Sequence, residues 1–266
     1  MADPVLRLRD LRVRYGDKPP VLDVLALDVA AGEIVCLIGP SGAGKTTLLR
    51  LANGYVDGEC GELEVLGRAV RFGPGGDANR RDRALRRRVG FVFQSFNVIE
   101  RASVFDNVLW GSLGRQDGIG TLLGRFPEAD RQLAMDAIAE VDLVAQASQR
   151  ADTLSGGQQQ RVGVARVIVQ KPDLVLADEP VSSLDPVLAA EIIELMVEVA
   201  RRHGNTLVMS VHLPALAQRF ADRVVGLREG KVVWDGAAAA LDEAAIAAIY
   251  GAEAPPPPPP VPEATP

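Results

Sequence analysis

The sequence predicts an α/β protein, a sheet carrying a helical lobe. Two observations predict it. Short apolar runs alternate with helix-length segments near both ends of the chain, and between them residues 95–154 show helical periodicity with glycine-rich breaks. At 266 residues, 47% hydrophobic and 24% charged, the chain also has enough apolar material for a sizeable core.

The elements follow in order. Leu6 and Leu8 alternate with Arg7 and Arg9, then Leu11, Val13 and Tyr15 with Arg12 and Arg14, which predicts half-buried strands over 5–15 with a break near Asp10. A second strand over 21–29 leads through Ala31-Gly32 to a buried strand, Ile34–Ile38. A glycine-rich turn follows, then a helix from Lys45 that stops at Asn53-Gly54. Short strands are expected over 61–72, a basic helix over Arg80–Arg88 with a solvated face, and a strand over Val89–Phe93. In the helical lobe Ser103 can cap one helix, and 127–146 sets Leu133, Ala137, Ile138 and Val141 on one face.

After 155 the alternation returns, with a helix over 156–169 and a strand over 173–178. The next helix has Asp185 at the N-cap and Pro186 at N1, and it stops at Gly204 after Arg201, Arg202 and His203. Strands over 206–211 and 223–228, a hairpin through Glu229-Gly230 and a helix ending near Tyr250 complete the fold. Residues 255–266 hold 8 of the 18 prolines and read as an extended tail, either solvated or a ligand for a proline-reading partner.

Composition removes several function classes. A formal charge of −6 and 5% aromatics argue against a nucleic-acid coat or a base-stacking platform. Cys36 and Cys60 are too few for a disulfide framework or a four-ligand zinc site, which points to a reducing compartment. The opening MADPVLRLRD lacks a signal pattern, and no apolar run reaches the ~18 residues needed to span a bilayer. A role at a membrane would therefore need a partner. Of the 29 basic residues only four are lysines, Lys18, Lys45, Lys171 and Lys231.

One of these lysines sits in the most informative motif. Gly39-Pro40-Ser41-Gly42-Ala43-Gly44-Lys45-Thr46 fits G-x-x-x-x-G-K-[ST] between a buried strand and a helix start. Glycines let backbone N–H groups turn inward on a phosphate, and the helix N-terminus adds partial positive charge. Lys45 reaches the β- and γ-phosphates of a nucleotide, and the Thr46 hydroxyl suits Mg²⁺. A complementary acidic pair ends the strand Leu174-Val175-Leu176-Ala177-Asp178-Glu179: Asp178 can hold Mg²⁺ and Glu179 can polarise water. Gln170-Lys171-Pro172-Asp173 lacks the Asn of a guanine-reading N-K-x-D element and reads as a loop.

Leu154-Ser155-Gly156-Gly157-Gln158 adds a second phosphate-binding helix start, with Ser155 and two glycines opening the helix. With this downstream set, residues 5–250 resemble the ATP-binding cassette ATPases. The resemblance implies a P-loop NTPase (RecA-like) core with an antiparallel β subdomain and a helical subdomain. It divides 4–250 into core and β lobe (4–94, 155–250) and helical lobe (95–154), with a tail over 251–266. It also implies ATP and Mg²⁺ as ligands, with Gly39, Pro40, Ser41, Gly42, Ala43, Gly44, Lys45, Thr46 and Thr47 on the nucleotide. Thr46, Gln94 and Asp178 would hold the metal.

Gln94 matches the glutamine that touches Mg²⁺ and water, and His212 the switch histidine at the γ-phosphate; with Glu179 they make up the implied catalytic set. Ser155, Gly156, Gly157 and Gln158 would close over the ATP of a second copy in a head-to-tail dimer. Ser183-Leu184-Asp185 matches the loop that packs across that dimer, although Asp185 equally suits an N-cap. Tyr15, 24 residues before Gly39, matches the adenine-stacking aromatic, although a strand Tyr also suits a core. His203 reads as a residue compensating a helix dipole.

A narrower resemblance joins Phe93-Gln94-Ser95-Phe96-Asn97-Val98, Leu123-Gly124-Arg125-Phe126, the stretch Ala177–Pro186 and Ile249-Tyr250-Gly251 to the ATP subunits of phosphonate importers. Phosphite importers share this pattern, and polar amino-acid importers share parts of it. Two departures are Gly163 inside the helix after Ser155, which implies a looser helix, and the proline-rich tail. The implied function is ATP hydrolysis driving uptake of phosphonate or phosphite through separate membrane permease subunits. The chain would lie peripherally on the cytoplasmic face of the plasma membrane, served indirectly by a periplasmic or lipid-anchored solute-binding protein, with no nucleic acid partner. The rivals are a polar amino-acid importer subunit and a soluble cassette acting on nucleic acid or ribosomes. Against the latter, Gln94 to Leu154 spans only 60 residues and shows no sustained heptads.

Overall fold

The structure, a computed structural model, describes residues 3–15, 19–54, 60–70, 82–116 and 124–251. The proline-rich tail beyond 251, residues 71–72 of the expected strands and residues 80–81 of the expected basic helix lie outside these.

The first strand is continuous. β1 (Leu6–Val13) pairs antiparallel with β2 (Leu22–Val29) and with β4 (Cys60–Val65), which in turn pairs with β5 (Arg68–Val70). The expected break at Asp10 is a β-bulge: Asp10 has φ 47°, and the register against β4 shifts between Arg9 and Arg12. Because a strand alternates its faces, that irregularity carries Leu6 and Leu8, then Leu11 and Val13, onto the same buried face. The broken period therefore marks a bulge within one strand.

The second sheet has the order β10-β9-β3-β8-β7-β6. β3 (Ile34–Ile38), β6 (Val89–Val92), β7 (Leu174–Ala177), β8 (Thr206–Ser210) and β9 (Arg223–Arg228) are parallel, and β10 (Lys231–Ala237) returns antiparallel on the edge. The central strands are buried on both faces, hence their continuous apolar runs. In β3, Val35 and Leu37 face one core with α1 (Lys45–Ala52) and the first sheet; Ile34, Cys36 and Ile38 face another, filled by helices. The phosphate-loop helix is thus held between two sheets, with Leu48, Leu49, Leu51 and Ala52 buried. The fold is that expected: an α/β core, an antiparallel β unit and helices inserted between β6 and β7.

The remaining helices are α2 (Arg83–Arg88), α3 (Val104–Leu109), α4 (Glu128–Glu140), α5 (Gly156–Gln170), α6 (Pro186–His203), α7 (Pro214–Phe220) and α8 (Glu243–Tyr250). Ser103 caps α3 by accepting the Asp106 N–H at 3.0 Å. On α4, Ala137 and Ile138 are buried and Val141 follows them at the C-cap, whereas Leu133 is half-buried and Ala134 takes the inner position. Asp185 and Gly204 cap α6 at the expected residues. α7 has no counterpart in the sequence reading; seven residues are too few to set a helical period.

The arginine helix is less solvated than expected. Leu85 is buried and Arg86 and Arg87 are half-buried, Arg88 pairs with Asp173 at 2.6 Å, and Gln170 donates to the carbonyls of Arg86, Arg87 and Val89. His203 at the end of α6 lies 3.1 Å from a Glu140 carboxylate oxygen, which ties the helix to the lobe as well as facing its dipole.

α5 runs unbroken through Gly163, where an added Cβ would come no nearer than 3.7 Å to the Phe96 carbonyl oxygen, an ordinary contact. The packing makes no demand for glycine there. Gly163→Ala should stabilise the protein by about 0.5–1 kcal/mol by restricting the unfolded chain, as an upward shift of the urea midpoint would show. A lower midpoint would mean that α5 needs the freedom glycine gives it.

Candidate active site

The site forms where β3, β7 and β8 end. β3 is buried throughout and turns at Gly39, whose φ is 146°; a Cβ there would lie 2.0 Å from the Leu227 carbonyl oxygen. Gly44, φ 101°, precedes α1, and its Cβ would lie 2.6 Å from Leu22 Cδ2 and 2.9 Å from the Val21 oxygen. Both positions exclude any side chain, so the first and last glycines of the motif are fixed by close approach of β9 and β2. α1 starts on Gly44 with no side-chain cap and no acidic residue in its first turn, which leaves the N–H groups of that turn for an anion.

Lys45 is 4% exposed, and its Nζ donates to the carbonyls of Gly39 at 2.7 Å and Pro40 at 3.1 Å. Burial lowers its pKa, while the charges of Glu179 and Asp178 act in the opposite sense. The ammonium is thus folded back onto its own loop among neutral acceptors, with two carboxylates nearby.

Those carboxylates come from β7. Val92 of β6 pairs with Ala177, and its carbonyl accepts the Asp178 N–H at 3.0 Å. Asp178, 4% exposed, accepts the Thr46 hydroxyl at 2.8 Å and the Ser210 hydroxyl at 3.2 Å on Oδ1, and Arg50 stands 3.7 Å from Oδ2. Ser210, at the end of β8, also accepts the Glu179 N–H at 2.9 Å. Glu179 has φ 47°, a strained conformation for a residue with a side chain, and its Oε1 lies 2.7 Å from His212 Nε2. A cavity of about 140 Å³ abuts Glu179, Ser210 and His212.

The structure therefore joins Gly39, Lys45, Thr46, Asp178, Glu179 and His212 in one cluster. Gln94 lies two residues beyond Val92, at the same carboxyl end of the sheet as Asp178, and is exposed. Tyr15 is 47% exposed, two residues past Val13, whose carbonyl accepts the Val21 N–H next to Gly44. That position suits a free aromatic face rather than a core.

Ser155, Gly156, Gly157 and Gln158 stand apart from this cluster. Among the described residues no hydrogen bond or ion pair joins them to it. Ser155 is exposed and forms a reciprocal capping box with Gln158 at the start of α5. Gly157 is buried, and its Cβ would lie 2.6 Å from Leu188 Cδ2, so this glycine makes room for α6 as well as opening the helix. Asp185 is exposed and accepts the N–H groups of Val187 and Leu188 at 3.1 Å, a working N-cap.

Three contributors were not among the expected site residues. Ser210 is an unremarked strand residue, yet it connects Asp178 to Glu179. Arg166 of α5 is half-buried and donates to the carbonyls of Asn97 and Asn107 and to Asn107 Oδ1, which fastens α5 to the segment after Gln94. Tyr250 is 5% exposed; its hydroxyl accepts the Gly39 N–H and donates to the His212 carbonyl, each at 3.2 Å. Partners 211 and 38 residues away are invisible to any window of sequence.

A strand–loop–helix phosphate cradle beside a strand ending in two carboxylates defines a P-loop nucleotide-hydrolysing protein. Comparison narrows the class: residues 22–182 match the family described as ABC transporter, and the chain belongs to that family, as an ATPase. It is 43% identical to the phosphonates import ATP-binding protein PhnC of Maricaulis maris, over 95% of this chain and 96% of that one. It is 45% identical to PhnC of Frankia casuarinae, over 93% and 96%. Among solved structures it resembles cbiO1 from Clostridium perfringens, part of the ABC transporter complex cbiONQ, with TM-score 0.78 and 25% identity over 92% and 93% of the two chains. It also resembles the ATP-binding cassette MJ0796, solved as a dimer in a post-hydrolysis state bound to ADP and Pi, with TM-score 0.74 and 28% identity over 88% and 98%. Among the described residues no helix is long and apolar enough to cross a membrane.

Proposed function

We propose that this chain is the ATP-hydrolysing subunit of a phosphonate importer, working as a head-to-tail pair beneath separate membrane permease subunits on the cytoplasmic face. The cluster of Lys45, Thr46, Asp178, Glu179 and His212 is the observation that carries the catalytic part. Identity of more than 40% to proteins named for phosphonate import, along nearly the whole chain, supports the choice of solute. A solute-binding protein would deliver the phosphonate to the permease, and phosphite is the nearest chemical alternative.

In this reading the loop Gly39–Thr47 wraps the ATP phosphates, with the N–H groups from Ser41 through the start of α1 donating to them, and Tyr15 stacks on adenine. Lys45 Nζ exchanges its carbonyl partners for β- and γ-phosphate oxygens. Thr46, Asp178 and Gln94 would hold Mg²⁺: hydroxyl, carboxylate and amide oxygens are hard donors of the kind it prefers, and the first two already converge at 2.8 Å. Mg²⁺, when bound, neutralises phosphate charge. Glu179 orients a water and draws its proton as the water oxygen attacks the γ-phosphorus. The bond to the β–γ bridging oxygen breaks, giving ADP and phosphate. His212, 2.7 Å from Glu179, donates toward the γ-phosphoryl oxygens, and Ser210 holds the two acidic residues in register. Ser155 to Gln158 of the second copy would close the other side of the phosphates, and Asp185 would lie at the dimer seam.

Reconstitution with the membrane subunits and the solute-binding protein tests the assignment. ATP hydrolysis should rise when the binding protein carries a phosphonate. A rise only with polar amino acids would overturn the choice of solute.

A further inference from the structure

The Ile249-Tyr250-Gly251 segment at the end of α8 has no part in the mechanism above, although its hydroxyl touches both halves of the site. We infer that the Tyr250 hydroxyl is a positioning group for hydrolysis, fixing the His212 loop against the first N–H of the phosphate loop. This rests on the roles proposed for Gly39 and His212.

The directions of the two hydrogen bonds are forced. The Gly39 N–H can only donate and the His212 carbonyl can only accept, so the single phenol proton must point at His212 while an oxygen lone pair takes Gly39. Each distance is 3.2 Å, and the side chain is 5% exposed, so water competes little for either bond. Burial raises the phenol pKa to about 12, and the proton that holds the His212 carbonyl stays in place at any ordinary pH.

The ring is also prevented from drifting. On one side Ile249 packs into the space left by Gly226, where a Cβ would lie 2.4 Å from Ile249 Cγ1. On the other, the Arg228 guanidinium lies against Gly251, 3.0 Å from where its Cβ would be, and donates to the Ala248 carbonyl at 3.4 Å. Both anchors belong to β9, the strand whose Leu227 oxygen presses on Gly39. The hydroxyl is therefore anchored, through α8, against the strand that shapes the phosphate loop, and it reaches across to the residue that faces Glu179. A shift of this bridge would move His212 relative to the cradle with no residue of the cradle changed. That placement predicts an effect on turnover rather than on nucleotide affinity.

Tyr250→Phe removes the hydroxyl and keeps the ring. In the full-length protein kcat for ATP should fall about tenfold, the worth of one well-placed hydrogen bond, with the KM for ATP within about twofold of wild type. Because the variant leaves a buried N–H unpartnered, Ile246→Ala serves as the control: it loosens the half-buried face of α8, leaves the hydroxyl in place and should lower the melting temperature without lowering kcat. A Tyr250→Phe enzyme with wild-type kcat would overturn the inference, as would an equal loss of kcat in Ile246→Ala. A wild-type protein unable to hydrolyse ATP would overturn the site assignment itself, a separate result.

Discussion

Glu179→Gln is expected to abolish turnover while leaving ATP bound. The substitution keeps the size of the side chain and its hydrogen bond to His212 but removes the carboxylate that takes the proton from water. General-base catalysis contributes about 10²–10⁴-fold, so phosphate release should fall by at least about a hundredfold. Affinity should hold, because the groups that meet the phosphates lie elsewhere, on 39–47 and the start of α1. Glu179 is held with φ 47° by the Ser210 hydroxyl on its N–H, a bond made by the backbone that survives the change. Phosphate-release kinetics beside a fluorescent nucleotide titration would check both halves. Turnover near wild type would remove Glu179 from its role.

Lys45→Ala should do the reverse and lose the nucleotide. The ammonium is buried with only loop carbonyls as hydrogen-bond partners in the described structure, so phosphate oxygens are its natural acceptors once ATP arrives. A charge-assisted hydrogen bond is worth about 1.5–3 kcal/mol, which predicts ATP binding weaker by about ten- to a hundredfold. The fold should survive, because burial already disfavours this charge, as the lowered pKa records, and Leu48, Leu49 and Leu51 still anchor α1. Equilibrium binding together with a thermal melt separates the two effects. Unchanged affinity in a folded variant would contradict the cradle as drawn.

What could be read from the sequence, and what could not, divides on range. The cradle was legible because its glycines, lysine and threonine sit within eight consecutive residues and each type has a physical reason to be there. α6 was legible to the residue because Asp185, Pro186 and Gly204 are local stop and start signals. Asp10 was misread because a bulge and a break both interrupt the period of two; only the shared burial of Leu8 and Leu11 tells them apart. Arg86 and Arg87 were assigned to a solvated face because no local pattern reveals that Gln170 reaches their carbonyls or that Gly114 lies against the Arg87 stem. The parts that Ser210 and Tyr250 play in the site escaped notice for a related reason. Each acts through a side chain that crosses the fold, and the sequence pattern at each position is that of an ordinary core residue. The family resemblance placed Glu179 and His212 in one catalytic set, but their 2.7 Å contact was not foreseen, since no spacing rule brings together residues 33 apart.

The proposed function makes one chain half a catalytic unit, with the exposed Ser155 and its helix start, which among the described residues has no hydrogen bond or ion pair to the chain's own cradle, left for the second copy's ATP. The most direct test is the molar mass of the Glu179→Gln protein in solution, by light scattering, with and without ATP and Mg²⁺. The account predicts a monomer that doubles in mass when ATP is added and reverts when it is removed. A mass that stays at one chain while ATP is demonstrably bound would contradict it.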